Sequence, residues 1–423
     1  MDLKKLTEKS ITNKTVVVRV DYNVALTKDS PPKVKEDRRI RDSLATIRFL
    51  LKHKAKVVLL AHLGRPDGKR VAKYSLEPVA AHLEKLLKQD VLFLPETTGK
   101  LVRDGIEAAK PGSVIMVENL RFHNEETDND SEFAKKLADL GDVYVNEAFS
   151  ASHRSHASIV GIPKHLPAYA GFSLEREATQ LASLMDKPRK PFVVILGGAK
   201  ISDKVGALTH LAKLADIVLI GGAIANNFLK AEGFEIYRSF VEEATKVKDG
   251  SLQDYTKVAA DLIYQHKTEH ILIDGYIPLP KIIYPIDAIA APSLETTHDS
   301  QVDIVDLSHG MADTDENKKL LYLDIGPKTR KLYQEIIDGA GTIFWNGPMG
   351  VWENKLFAAG TRTVAKAIID SSARTVLGGG DTIAAAHHFH YEYKFDYVSA
   401  AGGAALEFLS GKTLPGLKPL MQR

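Results

Sequence analysis

Residues 192–204 read FVVILGGAKISDK. Phe192–Leu196 is a short run of apolar, mainly β-branched residues with no polar alternation. It predicts a strand buried on both faces, the habit of parallel sheet. Gly197 and Gly198 then turn the chain, and Asp203–Leu214 has helical spacing. The same order recurs downstream. Ile217–Ile220 runs into Gly221-Gly222, Thr342–Trp345 into Asn346-Gly347-Pro348-Met349-Gly350, Arg374–Leu377 into Gly378-Gly379-Gly380-Asp381-Thr382, and Tyr397–Ser399 into Ala400-Ala401-Gly402-Gly403. Ile282–Ile286 has a strand's composition without such a turn. Glycine directly after a strand lets backbone N–H groups approach a phosphate, and a following helix N-terminus adds positive potential. One such turn is a packing device; five in one half of a chain point to a nucleotide.

The first half uses the same architecture with different chemistry. Val16–Val20, Val57–Leu60, Val91–Leu94, Val114–Val117 and Val143–Val145 read as strands, and Ser43–Lys52, Leu76–Leu87 and Ser131–Leu140 as helices. In open α/β sheets, ligands bind beyond the carboxyl ends of the strands. There the sequence places Asp21 and Asn23, with Arg19 inside the first run; His62 and Arg65; Glu118, Asn119 and Arg121; and Asn146, Glu147, His153, Arg154 and His156. Arg39 falls in a connection. Arginine suits bidentate capture of phosphate or carboxylate, so a converging set predicts a site for a small polyanion. His153 and His156 could share a face toward a metal, but no third ligand stands at supporting spacing.

The fold class expected is α/β, with two doubly wound parallel-sheet domains joined by a helix. The domains are placed at 1–172 and 192–400, with the connecting helix at 173–191. A length of 423 residues allows two or three domains. With 56 Lys plus Arg against 54 Asp plus Glu, the net charge is +2, which argues against a nucleic-acid coat. There is no cysteine, so disulfides, thiolate metal sites and thiol nucleophiles are excluded. The polar N-terminus lacks an apolar signal core, and the longest uncharged run, 339–352, is too short for a bilayer. A cytoplasmic monomer acting on small molecules, with no membrane or nucleic-acid partner, is expected. Neither a Walker P-loop nor a GxGxxG fingerprint is present. Lys200 and Lys204, four apart at the turn and the first helical turn, can both face phosphates, and Asp381 can hold nucleotide-bound Mg²⁺.

The motifs RVDYNV (19–24), RRI (38–40), HLGRP (62–66), ENLRF (118–122), HRSHAS (153–158), LGGAKISDK (196–204), LDIGPKT (323–329), WNGPMGVWE (345–353) and GGGDT (378–382) occur in family order, and the chain resembles the phosphoglycerate kinases over nearly its whole length. The resemblance implies two Rossmann-like domains, with a C-terminal segment, 401–423, returning to the first. It implies that Asp21, Asn23, Arg39, His62, Arg65, Arg121 and Arg154 hold 3-phosphoglycerate or 1,3-bisphosphoglycerate. It further implies that Gly197, Gly198, Ala199, Lys200, Lys204 and Asn346 line ATP or ADP, that Glu353 binds the ribose, and that Gly379, Gly380, Asp381 and Thr382 take the phosphates and Mg²⁺. Arg39, Lys200 and Lys204 are the candidates for neutralising the transferred phosphoryl group.

The chain also departs from the family pattern. Ala400-Ala401 stands where Thr-Gly is usual, and Ala25, Glu147, Ser150 and Ala223 replace a Pro, an Asp, a Gly and a Gly. A positive φ at Ala401 would cost roughly 1 kcal/mol. Two other readings stay open on the residues alone: a weakened, nucleotide-binding paralogue, and a kinase for another small phosphorylated acid.

Overall fold

The structure is a computed structural model describing residues 1–246, 250–273, 277–308 and 314–422. The chain divides into two compact units, 1–180 with 412–423, and 181–411. The division falls within the helix Phe172–Asp186. Residues 401–411 stay with the second unit, so the segment belonging to the first begins at 412, later than 401.

Unit 1 is built on β1 (Thr15–Arg19), β2 (Lys56–Leu60), β3 (Val91–Leu94), β4 (Val114–Val117), β5 (Val143–Asn146) and β6 (Ala168–Ala170). Their order is β3-β4-β2-β1-β5-β6, all parallel. β1, β2, β4 and β5 are buried almost throughout, as unalternating apolar runs require. The sheet reverses its winding between β1 and β5, which places the ligand crevice of such a sheet there.

The helix expected from Ser43 starts five residues earlier, at Arg38, because Ile40 is buried on the same stripe as Leu44 and Ile47. Arg39 therefore sits in a helix's first turn and not in a connection. The C-terminal segment is tied in by Leu3 pairing with Met421 and by Asn146 Nδ2 donating to the Gly416 carbonyl at 3.3 Å.

Glu147, just past β5, is buried. Its Oε1 accepts from Thr46 Oγ1 at 2.8 Å and from the Ser173 amide at 3.1 Å, while Oε2 has no partner among the described residues. Burial pushes its carboxyl up to about 8, so the neutral acid is the folded form at neutral pH. A folded-state pKa raised above the unfolded value contributes stability at low pH that is lost as pH rises toward 8. Glu147→Gln, a neutral isostere, is accordingly expected to stabilise the protein relative to wild type by on the order of 1–3 kcal/mol more at pH 8 than at pH 5. Urea midpoints at the two pH values check this; an equal difference at both would contradict it.

Unit 2 contains β7 (Phe192–Leu196), β8 (Ile217–Ile220), β9 (Ile282–Ile283), β10 (Asp287–Ala291), β11 (Asp303–Asp306), β12 (Leu321–Ile325), β13 (Thr342–Asn346), β14 (Arg374–Gly378) and β15 (Tyr397–Ser399). The main sheet, β9-β8-β7-β13-β14-β15, is parallel throughout and switches direction between β7 and β13. β9 is shorter than expected because Pro285 cannot donate to a ladder. β11-β10-β12 form a separate antiparallel sheet that the residue pattern does not predict. β10 and β12 are buried almost throughout, but β10 is mostly alanine, a weak strand former, and β12 is interrupted by Asp324; β11 is short, with Asp303 and Ile304 exposed. The segment 274–281 has no distinctive pattern; 274–276 lie outside the described residues, and 277–280 pair antiparallel with 270–273.

Candidate functional sites in the two units

In unit 1 the turns after β2, β4 and β5 bring three expected arginines together. Arg65, Arg121 and Arg154 line one cavity of about 200 Å³, with Asp67, Gly68, His123, Asn124 and Thr127. The positive loop conformations at Gly64 (φ 65°) and Gly68 (φ 73°) aim it, and a Cβ at Gly64 would stand 2.3 Å from the Tyr74 ring. The Gly64 peptide is held on both sides: its amide donates to Asn23 Oδ1 at 2.9 Å and its carbonyl accepts from Arg121 Nη1 at 2.7 Å. Arg121 Nε is buried with no partner among the described residues. Burial, then the fields of Arg154 and Arg19, pull Arg121 down to about 10. Arg154 is lowered by burial and by Arg65. Three guanidinium groups thus face a single lining carboxylate, Asp67, an excess of positive charge that an anionic ligand relieves.

Arg39 belongs to an adjoining cluster. Its Nη1 donates to Asp21 Oδ2 at 2.7 Å, and Ser150 Oγ donates to the same oxygen at 2.5 Å. The Asp21 charge in turn acts on Arg154.

Arg19 stands out in the sequence without an assigned role. It ends central strand β1, buried, and donates from Nε to Ser158 Oγ at 2.9 Å and from Nη2 to His62 Nδ1 at 2.9 Å. Buried Glu126 accepts from the Ser158 amide and hydroxyl at 2.9 and 2.6 Å. The available signal is a charge inside a central strand, which must find a partner. Arg19 is always a donor, so His62 Nδ1 is an acceptor and its proton sits on Nε2. Burial and the fields of Arg19, Arg121 and Arg154 hold His62 well below its usual range and bring His156 down to about 3. His62 is therefore a neutral donor.

These two shifts set a pH dependence. The unfolded chain takes up protons near the ordinary histidine value of about 6.5 while the folded chain does not, so this contribution to stability is lost as pH falls below that value. Glu147 pulls the other way, so the comparison is best read between variants. His156→Gln is expected to lose less stability than wild type between pH 7 and pH 5 in urea titrations; parallel losses would refute the assignment.

In unit 2 the glycine turns meet at the switch point. The Gly197 amide donates to the Asn346 carbonyl at 3.0 Å, Gly198 to Pro348 at 2.8 Å, and Gly222 to Met349 at 2.9 Å. A Cβ at Gly347 (φ 102°) would lie 2.1 Å from the Gly197 carbonyl oxygen. Thr382 Oγ1, buried, accepts from the Gly347 amide at 2.7 Å, locking the turns after β13 and β14 together. Asn346 Nδ2 is buried without a partner among the described residues, and a Cβ at Gly379 (φ 90°) would be 3.0 Å from it. Gly379 caps the helix Gly380–His388, whose first turn carries exposed Asp381.

Lys204 departs from expectation. The helix begins at Val205, and Lys204 is its N-cap, so the four-residue helical spacing from Lys200 does not apply. Its ammonium instead lies 3.2 Å from where a Cβ at Gly198 would be. Burial lowers its pKa, against the fields of Asp203 and Asp381. Ala199, Lys200, Gly380 and Glu353 are exposed at the surface of this unit.

Ala401 lies outside the positive-φ region; Gly402 alone takes that conformation there (φ 55°). The strain expected for the Ala400-Ala401 turn therefore does not arise.

Among the described residues no group of three or more His, Asp or Glu side chains could hold a metal ion. A single exposed carboxylate, Asp381, beside the glycine turns fits Mg²⁺, which is usually held by one or two carboxylates plus nucleotide phosphates and water. No described helix is long and apolar enough to cross a membrane.

The family model described as phosphoglycerate kinase matches residues 6–412. A relative of that name from Pseudothermotoga lettingae is 43% identical over 423 residues, covering 100% of both chains. Another, from Coprothermobacter proteolyticus, is 42% identical over 422 residues, covering 100% of this chain and 99% of its own. Among solved structures, the phosphoglycerate kinase of Coxiella burnetii superposes with a TM-score of 0.82 at 35% identity, covering 97% of this chain and 96% of that one. That of Pyrococcus horikoshii OT3 gives 0.79 at 34% identity, covering 99% and 98%. The chain belongs to the phosphoglycerate kinase family.

Proposed function

We propose that unit 1 holds the phosphoglycerate and unit 2 the nucleotide in this family's reaction, the reversible phosphoryl transfer between 1,3-bisphosphoglycerate and ADP that gives 3-phosphoglycerate and ATP. The chain is a phosphotransferase with a carboxyl group as acceptor. The observation that carries the assignment of unit 1 is the cavity shared by Arg65, Arg121 and Arg154, two of them with depressed pKa values. Its size suits a three-carbon acid phosphate.

In the ATP-consuming direction the nucleophile is a carboxylate, ionised at neutral pH, so no general base is required. Catalysis reduces to positioning and to neutralising the moving phosphoryl group. Arg39, anchored by Asp21, and Lys204, beside Gly198, are assigned that role; Lys200, exposed, is a further candidate. His62 Nε2–H and Asn23 orient the acid. Gly198, Ala199, Asn346, Gly379, Gly380 and Thr382 cradle the nucleotide, and Glu353 takes the ribose. Mg²⁺, held through Asp381, would supply charge neutralisation at the phosphates. Donor and acceptor must meet away from water, so closure of the two units is part of the reading. The chain is taken to act as a monomer, in the cytoplasm.

A coupled assay with 3-phosphoglycerate, ATP and Mg²⁺ tests the whole. Saturable turnover is expected. Tight calorimetric binding of both ligands without turnover would overturn it in favour of a binding protein.

A further inference from the structure

We propose that Glu242 is a positioning residue for phosphoryl transfer, setting the Lys200–Lys204 loop through Ser202. This rests on the nucleotide reading of unit 2. Between β7 and the helix Val205–Leu214 the chain makes a turn over residues 201–204. A loop carrying a charge-neutralising lysine must be held within a fraction of an ångström to be useful. Ile201 anchors it from inside, fully buried, and its carbonyl accepts from the Lys204 amide at 2.9 Å.

The other anchor comes from a residue about forty positions away. Glu242 is 8% exposed and takes both donors of Ser202, the amide at 2.8 Å on Oε2 and the hydroxyl at 2.5 Å on Oε1. A two-point grip by a carboxylate fixes orientation as well as distance, and charge-assisted bonds are the stronger kind.

Glu242 is itself fixed. Its carbonyl accepts from Asn227 Nδ2 at 3.0 Å, and the Phe240 carbonyl from Asn226 Nδ2 at 2.9 Å. Both asparagines are buried on the helix Ile224–Ala231, and Ile224 donates to the Gly198 carbonyl at 3.1 Å. The path from the Gly198 turn through that helix to Glu242 and back to Ser202 is thus closed. It places the lysine loop relative to the glycine turn. Nothing in the sequence points to it, because Glu242 lies in an acidic, irregular stretch.

The test compares Glu242→Gln, Glu242→Ala and Ser202→Ala with wild type for kcat and for the Michaelis constants of both substrates, the nucleotide and the phosphoglycerate, alongside thermal midpoints. Glu242→Ala is expected to lower kcat about 10–30-fold, as loss of an anchored catalytic geometry should. The Michaelis constant for phosphoglycerate should stay within about 2-fold, since that site is built from other elements. Glu242→Gln keeps an acceptor for one Ser202 donor and should recover most of the rate, and Ser202→Ala should lose about 3-fold. A lowered thermal midpoint with kcat within about 2-fold of wild type would overturn the proposal, leaving Glu242 a structural residue. If Glu242→Ala does not fold, Ser202→Ala decides: a kcat lowered about 3-fold with the phosphoglycerate Michaelis constant unchanged supports the proposal, and an unchanged kcat overturns it. A wild-type chain without turnover would instead overturn the underlying reading, a result distinguishable from any variant effect.

Discussion

Lys204→Ala is expected to lower kcat by at least about 10²-fold, the usual consequence of removing one preorganised charge from a transition state. The ammonium is partly withdrawn from water, its pKa already depressed by burial, so less solvent has to reorganise before it interacts with a developing phosphoryl charge. Arg39→Ala should cause a loss of the same order, but from unit 1, where it strips Asp21 of its cation. The split between parameters separates these roles from simple binding. A residue that neutralises charge only at the transition state lowers kcat and kcat/KM together, whereas a ligand-binding residue raises KM with kcat unchanged. Either variant turning over near the wild-type rate in a coupled assay would remove it from the mechanism.

Gly347→Ala should be the most damaging single substitution in unit 2. At φ 102° an L-residue is strained by roughly 1–3 kcal/mol whatever the space around it. Space is also lacking: the new methyl would stand 2.1 Å from the Gly197 carbonyl oxygen and 2.3 Å from its carbon, both backbone atoms that cannot rotate away. The turns after β7 and β13 would have to separate, breaking the bonds from Gly197 to Asn346 and from Gly198 to Pro348. Loss of nucleotide binding by calorimetry and a thermal midpoint several degrees lower are expected. A variant that binds ADP with wild-type affinity would show that the interlocked turns are packing devices with no part in the site.

Much of this architecture is legible in the residues themselves. Runs such as Val16–Val20, Phe192–Leu196 and Ile217–Ile220 carry no polar alternation, and a continuous apolar run of strand length has few places to go except a doubly covered parallel sheet. The residues after those strands point to chemistry for the same reason: a βα turn at the carboxyl edge is free of packing duties, so arginine or glycine there demands another explanation. Elements whose residue types are poor strand formers, or whose apolar run is broken by a charge, are not legible. β10, β11 and β12 form a sheet through antiparallel pairing that no local pattern announces. Lys204 reads as part of a helix that in fact begins one residue after it, since the turn over 201–204 is held by Glu242, far away in sequence. The Ala400-Ala401 turn looks strained only because the sequence cannot say which of its residues takes the left-handed conformation; Gly402 takes it.

Residue types and their order alone settle that this chain makes two parallel α/β sheets, one edged with guanidinium groups and the other with bare peptide turns, because strand burial and turn chemistry are local properties. Which of those groups meet is a matter for tertiary structure. The convergence of Arg65, Arg121 and Arg154 on one cavity, the neutrality of His62 under Arg19, and the locking of Gly347 against Gly197 all join residues from different strands. Distances and fields between such residues depend on strand order and loop closure, which no stretch of sequence contains.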